Sequence, residues 1–295
     1  MTSNNSQDKI FIVENGFNTC YIDSLLMALF YKSSTYLESI LHTYPKNFDV
    51  IYLQEIIKNK FVDQVRKYNS IMADVINEIR LYAHECGWLS DNELFEQQDV
   101  NEFYSFLLNT VNAPLIEIQR QTFSEELDNK NGIGESETIP FINLIVPDNC
   151  TEISIKTMLN NWMNNNEIKT DYYKCLNIYK IVNVPTFIAL SLNRFNNNMQ
   201  RIETKIDIQK RIKLHHIYDD HEGLIWKIHA IICHKGLTPK TGHYYSVIFS
   251  SDNTILLFDD QSIPCLKDIK INDKEIAETI KREAIFVIYC YNESL

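Results

Sequence analysis

The hydrophobic pattern changes along this chain, and the change restricts the folds that the chain can adopt. Apolar residues recur at helical spacing from Cys20 to about Val111, whereas strand-like runs dominate from Tyr172 onward. No internal repeat or low-complexity linker separates the two parts. A helical portion followed by a strand-rich portion predicts an α+β fold with two unlike halves.

Individual segments can be placed within this pattern. Helices are predicted over residues 39–44, 50–57, 61–68, 71–86, 96–108 and 154–163. Strands are predicted over residues 10–13, 140–147, 179–184, 187–195, 206–208, 224–233, 247–249 and 255–258. The polar residues 1–9 are predicted to be disordered, and the acidic, glycine-containing residues 125–137 are predicted to form a mobile loop.

The composition limits the partners that the protein can have. The 295 residues are 45% apolar and carry a formal net charge of −11. Nucleic-acid binding needs a basic surface, so this balance argues against a nucleic-acid partner and is compatible with a basic protein segment. The sequence has no apolar run long enough for a signal peptide or a membrane span, so no membrane partner is expected.

The cysteines indicate a reducing compartment. The seven cysteines are scattered and include no C-x-x-C pair or four-ligand zinc spacing. We therefore expect free thiols, a cytoplasmic or nuclear location, no structural metal and no cofactor.

Cys20 lies where a polar loop meets a predicted helix. Turn formers precede it, Thr19 is a possible N-cap, and an apolar helical stripe begins at Tyr21. The positive end of the helix dipole would stabilise a thiolate there and lower the pKa of the thiol. Cys20 is therefore a candidate nucleophile; the alternative is a small buried cysteine that only packs.

His243 and Asp259 are equally spaced from a predicted turn. Each lies eight positions from Ser251, and strand-like residues flank the turn formers at 250–253. A hairpin centred there would set the imidazole and the carboxylate opposite each other, within hydrogen-bonding reach. The carboxylate would orient the ring, which could act as the general base for a nearby thiol. The alternative is a half-buried strand histidine with a polar neighbour.

Asp99 and Glu102 share one face of the helix predicted over residues 96–108. Taken alone, two such carboxylates are more typical of a solvated helix face than of a binding site.

These residues belong to a larger set of motifs that resembles the ubiquitin-specific protease family, the papain-like deubiquitinases. The family's opening box, close to N-x-G-N-T-C-Y-M-N-S, matches residues 15–24, and its Q-Q-D-x-x-E-F/L box matches residues 97–103. Further matches are L-x-L-x-R-F at 190–195, H-x-G at 234–236, G-H-Y at 242–244, F-[DN]-D at 258–260 and a closing aromatic strand at 284–289. The ordered set covers the chain from about residue 10 to residue 291.

The resemblance implies a papain-like cysteine protease fold in a single catalytic domain over residues 10–295. Residues 10–115 would form a helical thumb, residues 116–185 reduced fingers with connecting segments, and residues 186–295 a β-rich palm. Arg194 and Phe195 would be structural.

The resemblance also assigns catalytic roles. Cys20 would be the nucleophile, His243 the base and Asp259 the acid that orients it. Asn15 would donate to the oxyanion, and Asp260 would assist there.

Binding roles follow from the same boxes. Asp99 and Glu102 would hold the arginines of a ubiquitin tail. Trp88 would pack near that groove, with a role as a core aromatic as the alternative. His234 and Tyr244 would contribute to substrate binding.

Three departures from the family pattern change the expectations. Phe17 stands where the family usually has Gly, so the loop before Cys20 must bend differently. Asp23 replaces the usual Asn. Cys175 lacks its C-x-x-C partner, since Asn177 and Ile178 follow instead, so no structural zinc is expected.

Three functions remain open on the sequence alone. The first is a thiol peptidase that cleaves after the terminal glycine of ubiquitin or a ubiquitin-like protein. The second is a catalytically weak or inactive ubiquitin-binding module of the same fold. The third is a papain-type acyltransferase or general peptidase that keeps the triad without the tail-binding acids.

Overall fold

The computed structural model describes residues 10–124, 133–164, 166–169, 174–214, 224–238, 241–250, 254–270 and 273–291. Residues 1–9, which are predicted to be disordered, and the predicted turn residues 251–253 lie outside these ranges. Within the described ranges, no helix combines the length and apolar character that crossing a bilayer requires.

Helices dominate the first third of the chain. They are α1 (Cys20–Phe30), α2 (Thr35–Glu38), a 3₁₀ turn (Ser39–His42), α3 (Phe48–Glu55), a π-helical turn (Ile56–Val62), α4 (Asp63–Tyr68), α5 (Ala73–Glu85) and α6 (Val100–Thr110). Two further helices follow later, α7 (Ile155–Asn164) and α8 (Lys274–Glu283).

The strands follow one another through most of the remaining chain. They are β1 (Ile12–Val13), β2 (Ser70–Ile71), β3 (Ile116–Ser124), β4 (Ile133–Ile139), β5 (Ile142–Ile145), β6 (Glu152–Ser154), β7 (Asn166–Lys169), β8 (Lys174–Ile181), β9 (Phe187–Asn193), β10 (Lys205–Asp207), β11 (Arg211–Leu214), β12 (Leu224–Thr238), β13 (Thr241–Phe249), β14 (Ile255–Phe258), β15 (Leu266–Ile269) and β16 (Ala284–Tyr291).

An eight-stranded sheet forms the body of the second half. Its order is β15-β14-β13-β12-β16-β9-β5, with β11 paired to β12. The β5–β9 pair is parallel and the other pairs are antiparallel. A separate antiparallel sheet has the order β4-β3-β8-β7, so the segment between the helical part and the large sheet has its own four strands.

Both faces of the large sheet are buried. Along β12, Ala230 and Ile232 belong to the core shared with the helices, while Ile231 and Cys233 belong to the core on the opposite face. The alternation follows from the two-residue period of a strand. The first core encloses the candidate nucleophile, and the second includes residues from α7.

Helix α1 lies between the two halves. All eleven of its residues are buried, as expected for a helix that is apolar around most of its circumference. It contacts β12 and β13 of the large sheet as well as α5 and α6. The start of α1 is thereby held against β13, which carries His243.

Several predicted boundaries differ from the structure for local reasons. The helix expected over residues 71–86 begins at Ala73, because Ser70 and Ile71 pair in parallel with β1. The helix expected from residue 96 begins at Val100, because the Asp99 side chain accepts from the Asn101 N–H and caps it.

The predicted mobile loop over residues 125–137 is wrong in part. Residues 133–137 belong to β4, which pairs with β3. The remaining residues, 125–132, lie outside the described ranges. The sequence prediction also missed β3 and α8.

Candidate active site

The loop before Cys20 is held by the side chain of Thr19. The hydroxyl of Thr19 accepts from the Gly16 N–H at 2.8 Å and donates to an Asp23 carboxylate oxygen at 2.9 Å. Thr19 occupies the N-cap position of α1 but makes no side-chain capping bond. The predicted cap is therefore wrong, because the hydroxyl is engaged within the loop.

Cys20 starts α1, and its thiol is protonated in this arrangement. The residue is 4% exposed, and burial raises the pKa of the thiol to about 12. Backbone N–H groups of Tyr244 and Tyr21 lower that pKa, whereas the carboxyl groups of Asp260 and Asp23 raise it further. The predicted lowering of the pKa is therefore wrong for this state, because desolvation outweighs the N–H contacts.

His243 is held by Asp259. Its Nε2 lies 2.8 Å from Asp259 Oδ1. Burial raises the pKa of Asp259, but the His243 hydrogen bond and the Gln261 N–H outweigh it and hold that pKa below its ordinary value. His243 Nδ1 is buried and has no hydrogen-bond partner among the described residues, which leaves it available for a proton.

The strand register differs from the predicted one. Ser246 pairs with Phe258 and Phe249 with Ile255, so the hairpin is centred one residue later than expected. Asp259 follows the end of β14 rather than lying opposite His243. Continuing this register by one residue sets Asp259 level with Tyr245, two positions from His243 on the same face of β13, so the two side chains meet diagonally across the hairpin.

Asp260 links the loop of Asn15 to His243. Asn15 Nδ2 donates to Asp260 Oδ2, and Asp260 Oδ1 lies 3.4 Å from His243 Nε2. Burial raises the pKa of Asp260, although the Asn15 hydrogen bond and the charge of His243 oppose it. Asn15 Oδ1 accepts from the Phe17 N–H at 2.8 Å, so both ends of its amide are fixed.

Asp23 is a buried acid beside this cluster. The residue is fully buried, and its Oδ1 has no hydrogen-bond partner among the described residues. Burial, together with the charge of Asp260, raises the pKa of Asp23 well above its ordinary value. The sequence shows the departure from the usual Asn at this position, but not that the carboxyl group is enclosed.

A groove of about 230 Å³ lies beside Tyr244. Four of the predicted binding residues line it, namely Asp99, Glu102, His234 and Tyr244. Asp99 is half-buried and caps α6, with its carboxylate oxygen 2.6 Å from the Asn101 N–H. Burial raises the pKa of Asp99 even though that hydrogen bond opposes it. Glu102 is exposed one turn into the helix.

The His234 ring lies so close to Gly236 and Gly242 that it leaves no room for a side chain at either position. Its ring packs against the rings of Tyr244 and Phe195, with centroid distances of 4.6 and 6.2 Å. A Cβ on Gly242 would come within 2.5 Å of His234 Nε2, and one on Gly236 within 2.8 Å of Cε1. Burial lowers the pKa of His234 to about 4. The ring is therefore neutral at physiological pH and acts as a packed wall of the groove.

Trp88 lies in the core. It is 7% exposed and packs against Phe103 and Phe106, and it does not line the groove. Its placement matches the alternative of a core aromatic. Arg194 is also buried, and it donates to the carbonyl oxygens of Ala284 and Thr204.

Two residues that the sequence prediction left without a role also shape the site. Gln97 Oε1 accepts from the Gly242 N–H at 3.2 Å, which ties the start of α6 to the histidine strand. Arg80 donates to the carbonyl oxygens of Phe17 and Gly16. Gln97 belongs to a recognisable motif, whereas nothing in the local sequence marks Arg80.

One group of three potential metal ligands occurs in the described part of the chain. Donor atoms of His243, Asp259 and Asp260 lie within 4.8 Å of one another. The hydrogen bonds described above already join these side chains to each other and to Asn15. The side chain of Cys175 lies outside the described residues.

Comparison with known sequences places the chain in a family. A model of the family described as ubiquitin carboxyl-terminal hydrolase matches residues 13–289. Ubiquitin carboxyl-terminal hydrolase 4 of Arabidopsis thaliana is 21% identical over 334 residues, covering 88% of this chain and 86% of that protein. Probable ubiquitin carboxyl-terminal hydrolase creB of Aspergillus niger is 31% identical over 91 residues, covering 28% of this chain and 12% of that protein.

Solved structures share the fold. A chain of the SAGA Ubp8/Sgf11/Sus1/Sgf73 DUB module bound to ubiquitin aldehyde aligns with 100% of this chain and 72% of its own length, at a TM-score of 0.72 and 14% identity. This likeness confirms the predicted α+β fold. The family model matches all but the ends of the chain. The chain therefore belongs to the ubiquitin carboxyl-terminal hydrolase family of thiol-dependent peptidases, in agreement with the resemblance to ubiquitin-specific proteases.

Proposed function

We propose that this chain is an active deubiquitinase that hydrolyses the peptide or isopeptide bond after the C-terminal glycine of ubiquitin or a ubiquitin-like protein. One observation carries the proposal. The Tyr244 N–H contacts the Cys20 sulfur, and the preceding residue, His243, has a free Nδ1 and an Nε2 bound to Asp259. The thiol and the oriented imidazole are therefore both located at the same end of β13.

The chemistry follows from these atoms. The Cys20 sulfur attacks the carbonyl carbon after the glycine, and its proton passes to His243 Nδ1. Asp259 stabilises the resulting imidazolium through Nε2. Asn15 Nδ2 has two hydrogens; one is bonded to Asp260, and the second can donate to the oxyanion. The leaving amine takes the proton from His243, and water activated by the same nitrogen then hydrolyses the thioester.

The groove supports the choice of substrate. Asp99 and Glu102 give it negative charge, and the protein as a whole carries −11. An extended tail with arginines would be attracted to such a groove. The solved relatives of the same fold are bound to ubiquitin aldehyde in one structure and to monoubiquitin in another. We further propose a cytoplasmic or nuclear location, since the six cysteines with described side chains are free thiols, and no nucleic-acid or membrane partner.

A second candidate, a weak or inactive ubiquitin-binding module, is favoured by the state of the thiol. Cys20 is protonated, and no hydrogen bond joins it to the free nitrogen of His243 in the described structure. In the active-enzyme proposal, substrate binding brings the two groups together. In the binding-module proposal, they stay apart.

A ubiquitin whose C-terminus carries an electrophile separates the two candidates. We expect it to form a covalent adduct on Cys20 at pH 7, much faster than iodoacetamide alkylates the same thiol, because the tail must engage the groove first. Cys20→Ala should not label, whereas Cys86→Ala should label like the wild type. Mass spectrometry identifies the site. Binding without an adduct favours the inactive module, and an adduct on Cys86 or Cys233 contradicts the assignment of the nucleophile.

A further inference from the structure

A second cleft adjoins the candidate base from the side of helix α8. It has a volume of about 480 Å³, and both His243 and Asp259 belong to its lining. Strands β12, β13 and β14 supply further parts of its wall. We call this space the α8 cleft, because α8 contributes Glu275, Ile276, Ile280 and Glu283 to it.

The α8 cleft and the groove of Asp99 and Glu102 lie on opposite faces of β13. Tyr244 lines the groove, whereas its neighbours along the strand, His243 and Tyr245, line the α8 cleft. This is the alternation expected of a strand, in which successive side chains point to opposite faces. None of the described residues lines both spaces. A chain segment bound in the groove therefore leaves the α8 cleft open.

His243 connects the α8 cleft to the reaction. The residue is 9% exposed, its Nδ1 has no hydrogen-bond partner among the described residues, and its Nε2 is held by Asp259. In the proposed reaction, the leaving amine takes a proton from Nδ1, so its nitrogen must come within hydrogen-bonding distance of this ring. The acyl side of the substrate occupies the groove. The rest of the leaving group therefore extends from the histidine into the α8 cleft.

Part of the wall suits an aliphatic chain. Leu257, Ile276 and Ile280 line the α8 cleft and are half-buried. A lysine linked through its ε-amino group brings four methylenes to the histidine, and such stems pack along apolar surface. The three aliphatic side chains can therefore cover the stem of a modified lysine.

The charge of the wall indicates what surrounds that lysine. Glu275 and Glu283 contribute two carboxylates, and Lys235 is the one lysine or arginine among the described residues that line the cleft. Glu283 accepts a hydrogen bond from the Tyr245 hydroxyl at 2.8 Å, whereas Glu275 is exposed on the first turn of α8. The excess of negative charge favours a basic occupant.

We propose that the α8 cleft binds the leaving-group side of the scissile bond and selects modified lysines that have basic neighbours in sequence. This inference rests on the proposed function and deepens it. The lysine stem lies against Leu257, Ile276 and Ile280, and a neighbouring arginine or lysine of the modified protein pairs with Glu275. An acidic neighbour at the same place is repelled.

The test uses three substrates that share one ubiquitin. The first carries a small fluorogenic amine, and the other two carry a peptide through an isopeptide bond to a lysine flanked either by arginines or by glutamates. We expect kcat/KM of the wild type to be roughly threefold to tenfold higher for the arginine-flanked peptide, the combined effect of one exposed attraction gained and one repulsion avoided. Glu275→Lys should invert this order, and Glu275→Gln should bring the two rates closer together.

A matched control separates the cleft from the overall charge of the protein. Glu55 is exposed at the end of α3 and lines neither the groove nor the α8 cleft, so Glu55→Lys makes the same change in net charge and should leave the ratio as in the wild type. An unchanged order in Glu275→Lys, or an equal shift in Glu55→Lys, overturns the proposal.

The fluorogenic substrate distinguishes the two levels of failure. If the wild type cleaves it and shows no preference between the two peptides, the leaving-group role is wrong while the proposed function stands. If the wild type cleaves none of the three substrates, the proposed function fails and the leaving-group role fails with it.

Discussion

Asp23 places a buried carboxyl group, with Oδ1 unpartnered among the described residues, beside the candidate nucleophile. Its folded-state pKa is raised, so the folded state holds the proton more tightly than the unfolded chain does. Between the ordinary pKa and the raised one, the free energy of unfolding therefore falls as the pH rises. Below both pKa values, Asp23 is protonated in the folded and the unfolded state, and the free energy of unfolding is not reduced.

Asp23→Asn removes the titration while keeping the shape of the side chain. We expect the variant to be more stable than the wild type by about 1–3 kcal/mol at pH 8 and by much less at pH 4, because each pH unit between the ordinary and the raised pKa costs the wild type about 1.4 kcal/mol. Urea denaturation at both pH values measures the difference. Asp63→Asn, at an exposed position at the start of α4, serves as the control. A gain that is equal at both pH values would show that the buried charge is not its cause.

Single residues also show how far the sequence can be interpreted. Cys20, His243 and Asp259 are candidates on the sequence because their types and order match a chemical pattern. The predicted lowering of the Cys20 pKa is wrong, since burial together with Asp260 and Asp23 raises it, and these surroundings come from the fold. Arg80 was missed for the same reason: its partners lie more than sixty residues away in sequence.

At the scale of elements, the start of α6 combines a structural and a binding role. The Asp99 carboxylate caps the helix and also lines the groove. Asn caps a helix about as well as Asp but carries no charge, whereas Ala neither caps the helix nor carries a charge. Comparing Asp99→Asn with Asp99→Ala therefore separates the capping role from the binding role.

We expect Asp99→Asn to keep the free energy of unfolding within about 0.5 kcal/mol and to lower kcat/KM for ubiquitin substrates roughly tenfold to a hundredfold, through loss of a charge-assisted contact. Asp99→Ala should lose the same activity and also about 1 kcal/mol of stability. Glu102→Gln should resemble Asp99→Asn. Steady-state kinetics and thermal denaturation measure both quantities, and full activity in Asp99→Asn would contradict the groove assignment.

Whole elements were predicted where periodicity was strong and missed where the signal was short or mixed. Residues 187–195 and 224–233 were identified as strands and correspond to β9 and β12. Helix α8 was missed although Asp273 caps it and its apolar residues recur at helical spacing. Only Ile276, Ala277 and Ile280 are apolar among its ten residues, so the stripe is short. The predicted hairpin was centred one residue too early, which displaces the strand pairing by two positions, because a turn's length cannot be read from its composition alone.

At the scale of the whole molecule, stability should not depend on a metal. The sequence has no C-x-x-C pair of the kind that holds structural zinc. We expect a chelator to leave Tm unchanged within about 1 °C, since removing a structural ion would cost far more. Differential scanning calorimetry with and without chelator measures this, and stoichiometric zinc by elemental analysis would contradict it.

The large sheet has one more consequence, which concerns synthesis. Strand β16 comes from residues 284–291 but lies in the middle of the sheet, between β12 and β9. A nascent chain shorter than this leaves both neighbours with unpaired edges, so the sheet cannot close around its core. Cys20 leaves the ribosome early, whereas His243 and strand β16 leave it more than two hundred residues later. A growing chain therefore carries its candidate nucleophile long before it carries the candidate base, and we expect no peptidase activity until the sheet is complete.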